Sequence, residues 1–89
     1  MNVRHNEAEQ RYEVERDGET AVLTYRVSGN TITFTHTIVP PEMEGGGVGS
    51  ALVKTGLAAA REQGMKVVPS CSFVRGYIER HSEYQELLA

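Results

Sequence analysis

The chain has 89 residues, 39% of them hydrophobic and 24% charged, with a formal net charge of -3. That length supports one domain, residues 1–89, around one modest core and leaves little for a second. The charge balance provides no cationic surface for nucleic acid, no apolar run approaches the ~20 residues that span a bilayer, and a single cysteine, Cys71, excludes an internal disulfide.

The polar stretch from Met1 to Arg11 lacks the apolar segment of a secretory signal, and a lone cysteine suits a reducing compartment, so a cytoplasmic location is expected. From Arg11 to Val39 the pattern has period two, as half-buried strands do. Tyr12 and Val14 alternate with Arg11, Glu13 and Glu15, and Asp17-Gly18 then supplies a hairpin turn. Ala21, Leu23, Tyr25 and Val27 share one face of the next strand. Ser28-Gly29-Asn30 turns the chain again, and Ile32, Phe34, His36 and Ile38 alternate with four threonines. The prediction is a three-stranded antiparallel meander, with β-branched residues suited to a pleated surface.

After Pro40-Pro41 the period changes. Val48, Leu52, Val53, Leu57 and Ala60 form one stripe of a helix from about Gly47 to Gln63, with Gly64 as its stop. Lys66 to Pro69 reads as a short strand. A second helix, about Phe73 to His81, carries Phe73, Val74, Tyr77 and Ile78 on one side. Ser82 and Gln85 have the spacing of a capping box for a last turn. A helix between two strands is a crossover that makes them parallel neighbours. The expected fold is therefore α+β: a meander followed by a β-α-β-α half, the sheet mixed and the helices packed on its faces.

The corner before the first helix contains Gly45, Gly46, Gly47 and Gly49. Each glycine loses more chain entropy on folding than other residues do. Such a corner either makes an unusual turn or lets a ligand approach the backbone. The first turn of a helix has unpaired N–H groups and about half a unit of positive charge, which phosphate oxygens satisfy. The segment Glu44, Gly45, Gly46, Gly47, Val48, Gly49 and Ser50 is therefore a candidate diphosphate cradle; glycines that only turn the corner are the plainer reading. The spacing fits neither a P-loop nor the dinucleotide fingerprint, since Lys54 lies too far along and no third glycine falls in register.

Glu44-x-x-Gly47-x-Gly49 resembles the Arg/Gln-x-x-Gly-x-Gly/Ala loop of the GNAT superfamily of acetyl-coenzyme-A-dependent N-acetyltransferases. Further blocks follow in order: Pro69-Ser70-Cys71-Ser72-Phe73 and His81-Ser82-Glu83-Tyr84, similar to the Pro-x-Cys-Pro-Phe and His-Pro-Glu-Tyr segments of small single-domain members. Glu44 departs from the usual Arg or Gln, and Ser72 and Ser82 replace prolines. The helices with which larger members wall off the acceptor have no counterpart in this chain.

The resemblance implies a GNAT-like fold, acetyl-coenzyme A as co-substrate, and an amine acceptor, a protein or peptide tail being suited to an open site. It implies that the pantetheine arm lies along Ile38 and Val39, between that strand and Val67-Val68, where Pro69 lacks a ladder N–H. It places Cys71 near the acetyl group, counts Phe73 among the cofactor-binding residues, and makes Tyr77 the candidate acid for the departing thiolate. Read without the family, Cys71 is a small buried residue or a thiol activated at a helix start, and Tyr77 is one member of a packing stripe. His36 reads as a strand residue and His81 as a helix-end residue. Three scattered histidines and one cysteine have no metal-ligand spacing. Arg75 and Arg80 are candidates to reach the phosphates, or ordinary surface residues. The alternative function is a module that binds acetyl-coenzyme A without turnover and presents a surface to a partner.

Overall fold

In the computed structural model, which describes residues 1–89, the alternating segments form strands β2 (Arg11–Arg16), β3 (Glu19–Ser28) and β4 (Thr31–Ile38). They pair antiparallel as a meander. Asp17 and Gly18 both take positive φ, 51° and 80°, the backbone a two-residue hairpin turn demands. Helix α1 (Val48–Glu62) then crosses over to β5 (Lys66–Pro69), which lies parallel to β4. Helix α2 (Ser72–Arg80) and a 3-10 turn over Ser82–Leu87 complete the chain. The helix bounds fall within a residue of those expected. No helix is long and apolar enough to cross a membrane.

Two features correct the reading of the sequence. Residues Arg4–Asn6 form an edge strand, β1, paired antiparallel with β2, where only a polar lead-in was expected. What holds β1 is polar: Arg4 and Asn6 reach back to the Glu13 carboxylate, with bonds of 2.6 and 3.0 Å, and Arg11 adds another at 2.5 Å. No hydrophobic period announces such a strand.

The second correction concerns β4. Its register with β3 shifts between Thr24 and Tyr25: Thr24 faces His36 while Tyr25 faces Phe34, so Thr35 is an extra residue. A bulge of this kind reverses the alternation beyond it. His36 and Ile38 do not continue the buried face of Ile32 and Phe34; both are exposed, and Thr37 takes the inward position opposite Leu23.

Both helices pack on the same face of the sheet, forming one buried cluster with Leu23, Phe34 and Val67 at its base and Leu52, Leu57 and Val74 above. Gly56 permits the close approach of α1: a β-carbon there would stand 3.0 Å from the Phe34 ring and 3.1 Å from Leu23. The opposite face carries Thr20, Val22, Thr24, Thr33 and Thr35, none of them buried, and no helix covers it. The sequence expectation of helices on the sheet's faces thus narrows to one face.

Candidate functional site

Three strand ends meet at the glycine corner. In the antiparallel meander the carboxyl end of β4, the amino end of β3 and the carboxyl end of β2 lie at the same edge of the sheet, and α1 begins there. A short 3-10 turn, Pro41–Met43, leads in, with Met43 buried as its anchor. Gly45 and Gly47 then take φ of 85° and 77°, a left-handed backbone that side-chain-bearing residues rarely adopt. Gly47 is the N-cap of α1 and provides no side-chain cap.

This path leaves donors free. The first helical bond runs from the Ala51 N–H to the Gly47 carbonyl, and the N–H groups from Gly45 to Ser50 donate to nothing in the chain. The residues that carry them, Gly46 excepted, line a cavity of about 570 Å³. Its floor is Gly45, Gly47, Val48, Gly49 and Ser50, and one wall is Thr37, Ile38 and Val39. Phe73, Met43 and Glu44 close the remaining sides. Gly49 is glycine for a steric reason, since a β-carbon would lie 2.9 Å from the Phe73 ring.

The cavity continues along an open backbone edge. Pairing of β4 with β5 stops at Phe34 opposite Pro69, although β4 runs on to Ile38. The Cys71 N–H still reaches the Phe34 carbonyl at 3.2 Å, and beyond that point the chain diverges into α2. The edge of β4 from Thr35 onward therefore has no strand beside it on the β5 side, and an extended ligand arm can add there as another strand would.

Most of the residues singled out in the sequence come together here: Ile38, Val39, Glu44, Gly45, Gly47, Val48, Gly49, Ser50 and Phe73 all line the cavity. Gly46 lies just outside the wall. Cys71 does not line it either, but its Sγ is 3.3 Å from the Oγ1 of Thr37, which does. Burial opposes ionisation of this thiol, yet hydrogen bonds from the Thr37 side chain and from the backbone of Val74 and Phe73 outweigh it and lower the pKa. Tyr77 sits apart. Its ring is buried, stacked 3.9 Å from the His81 imidazole and 6.0 Å from the Tyr84 ring, and forms no part of the cavity. Arg75 donates to the Pro69 and Ser70 carbonyls at 3.0 and 3.1 Å, which fixes the turn between β5 and α2.

Two residues escaped sequence reading. Thr37 was hidden by the bulge, because strict alternation points it away from the helices. The other is Arg16: its Nη1 would stand 3.9 Å from a β-carbon at Gly46, and it enters no ion pair or side-chain hydrogen bond. Arg16 does not line the cavity, but a guanidinium this near the glycine corner is a candidate counter-charge for an anion there. Arg16 precedes the Asp17-Gly18 turn, and a three-stranded meander brings that turn to the end where β4 stops. Its place was therefore countable from the strand order.

The fold is thus a mixed sheet whose two parallel strands part beside a glycine-floored helix start. Comparisons with known proteins identify the family. A family model described as GCN5-related N-acetyl-transferase matches residues 11–87. The chain is also similar to a GCN5-like protein from Staphylococcus aureus, assigned as an N-acetyltransferase and solved in solution by NMR. The two are 33% identical, with a TM-score of 0.78 over 99% of this chain and 87% of that one. No protein with a curated description matches the chain. The chain belongs to the GCN5-related N-acetyltransferase family, and its α+β fold is the fold of that family.

Proposed function

We propose that the chain binds acetyl-coenzyme A at the glycine corner and transfers the acetyl group to an amine. The observation that carries this reading is the run of unbonded N–H groups from Gly45 to Ser50 beside the Arg16 guanidinium. Those groups match a diphosphate in charge and donor number. The open edge of β4 from Thr35 to Ile38 matches the amides of a pantetheine arm, with Val48 and Phe73 as its apolar neighbours.

Acetyl-coenzyme A supplies a thioester whose acyl carbon an uncharged amine attacks, with a thiolate departing. Next to the open β4 edge stand two protic groups, the Thr37 hydroxyl in the cavity wall and the Cys71 thiol in contact with it. We assign to that pair the positioning of the thioester and the protonation of the leaving thiolate. Tyr77, the acid that the family resemblance suggested, is held between His81 and Tyr84 and is a less direct candidate. The uncovered threonine face of the sheet leaves the acceptor side open, which suits an amine on a protein or peptide. A reducing cytoplasm suits the free thiol of Cys71.

A second reading is a module that holds acetyl-coenzyme A without turnover, favoured by the burial of Tyr77 outside the cavity. Titration calorimetry with acetyl-coenzyme A and with coenzyme A, followed by thiol release over a panel of small amines and lysine peptides, separates the two. Binding with thiol release supports the transferase, and binding alone supports the module. No heat with either ligand removes both.

A further inference from the structure

A second cavity, of about 300 Å³, opens at the other end of α1, where the helix finishes against the starts of β2 and β4. The 15 residues of α1 separate it from the glycine corner by about 22 Å. Tyr12 and Tyr25 form its aromatic wall, with centroids 5.7 Å apart and planes inclined by 43°. His5 from the edge strand braces both. Its ring stacks on Tyr12 at 4.2 Å, and its Nε2 hydrogen-bonds with the Tyr25 hydroxyl at 2.6 Å. The rings are thus set before any ligand arrives.

Glu7 contributes a carboxylate that enters no ion pair, and no lysine or arginine lines the cavity. Ala60 and Gln63 bring in the negative end of the α1 dipole. The Tyr12 side chain is only 4% exposed, and no group in the chain hydrogen-bonds to its hydroxyl. Every fully enclosed side-chain oxygen and nitrogen of the protein has a partner, so this hydroxyl opens into the cavity. Burial chiefly, with Tyr25 and Glu7 adding to it, pushes Tyr12 up to about 12 and raises Tyr25 as well, so both phenols stay neutral.

We propose that this cavity binds an alkylammonium group, on a free amine or on a lysine side chain. The alkyl stem lies against Val27, Ala59 and Met65 in the cavity wall, the Tyr12 hydroxyl oxygen accepts an N–H, and Glu7 neutralises the charge. The site lies too far from the glycine corner for the bound ammonium to be the reacting amine, and it stands whether or not the chain acetylates anything.

The test is NMR titration of the full-length protein, following the tyrosine ring resonances. The probes are butylammonium and 1-butanol, which has the same length without the charge. Butylammonium is expected to shift the Tyr12 and Tyr25 rings saturably and to bind at least about five-fold tighter than butanol. Glu7→Gln, at an exposed position, is expected to weaken butylammonium about five-fold and leave butanol unchanged. Tyr12→Phe keeps the ring and is expected to weaken the cation alone. Spermidine and a lysine tetrapeptide then identify the source, the tighter of the two naming it. Equal binding of butanol and butylammonium, an unaltered Glu7→Gln titration, or no shift with any probe overturns the proposal.

Discussion

The hydroxyl of Thr37 and the thiol of Cys71 approach to 3.3 Å across the cavity wall, joining the end of β4 to the start of α2. The contact exists because the bulge at Thr35 turns Thr37 inward. A hydroxyl donating to sulfur stabilises the thiolate, so it is one of the groups that lower the Cys71 pKa against the effect of burial. Thr37→Val keeps the shape and removes the donor. Its expected effect is an upward shift in the pH midpoint of Cys71 alkylation by iodoacetamide and a several-fold slower reaction at neutral pH. Superimposable rate–pH curves would show that the contact does not tune the thiol.

Glu13 is 3% exposed on the face that no helix covers, and Arg4, Arg11 and Asn6 all donate to it. These bonds depress its pKa from 4.5 to about 2, Arg4 contributing most and burial opposing. Between those values the unfolded chain binds the proton that the folded chain refuses. The contribution of this cluster to stability is thus fully present above about 4.5 and lost as the pH falls through about 2. Glu13→Gln is expected to cost ~2 kcal/mol at neutral pH, the worth of charge-assisted bonds, because both arginines remain solvated when the carboxylate goes. Urea unfolding across acidic pH should show a shallower slope for the variant. An equal slope would place the acid sensitivity elsewhere.

The glycines of α1 separate stability from binding. At Gly56 a new β-carbon would press on Phe34 and Leu23, both fully buried and unable to retreat. Gly56→Ala should therefore destabilise by about 1–2 kcal/mol, overpacking outweighing the better helix propensity. At Gly49 the crowded neighbour is Phe73, 40% exposed and free to swing. Gly49→Ala should leave the melting temperature within a few degrees of the parent while displacing a cavity wall. Calorimetry should then record weaker acetyl-coenzyme A binding for Gly49→Ala and an ordinary affinity for folded Gly56→Ala.

How far the sequence carried the reader depends on the kind of force involved. Hydrophobic period defined β2, β3, α1 and α2, and turn chemistry defined the Asp17-Gly18 hairpin, because burial and backbone sterics write themselves into residue type at fixed spacing. β1 was illegible because it is held by the Arg4–Glu13 ion pair, the Asn6–Glu13 hydrogen bond and the His5 contacts with Tyr12 and Tyr25, none of which has a period. The bulge was illegible because Thr31, Thr33, Thr35 and Thr37 look alike: identical residues give no sign of a register slip, and the slip relocates His36, Thr37 and Ile38. The glycine corner was legible because only a few needs justify so many glycines. The seclusion of Tyr77 was not, since a packing stripe and a catalytic placement use the same spacing.

Arg16 and Gly46 make the last test, because they are distant in sequence and adjacent in space. If the free amides from Gly45 to Ser50 hold a diphosphate, the nearby guanidinium adds a Coulombic term that neither a hydrophobic nor a hydrogen-bonding account of the cavity needs. Arg16 ends an exposed strand tip, so its removal should leave folding intact. Arg16→Ala is expected to weaken coenzyme A about five- to ten-fold, as loss of one partly solvated charge-assisted contact does. It should also flatten the dependence of affinity on salt, because one fewer charged contact is left to screen. Arg16→Lys, which keeps the charge and loses the fork, should recover part of the affinity and most of the salt slope. Titrations between low and moderate ionic strength measure both quantities. Equal affinity and equal salt slope in the parent and Arg16→Ala would mean that the anion is held by backbone alone, with Glu44 uncompensated at its edge.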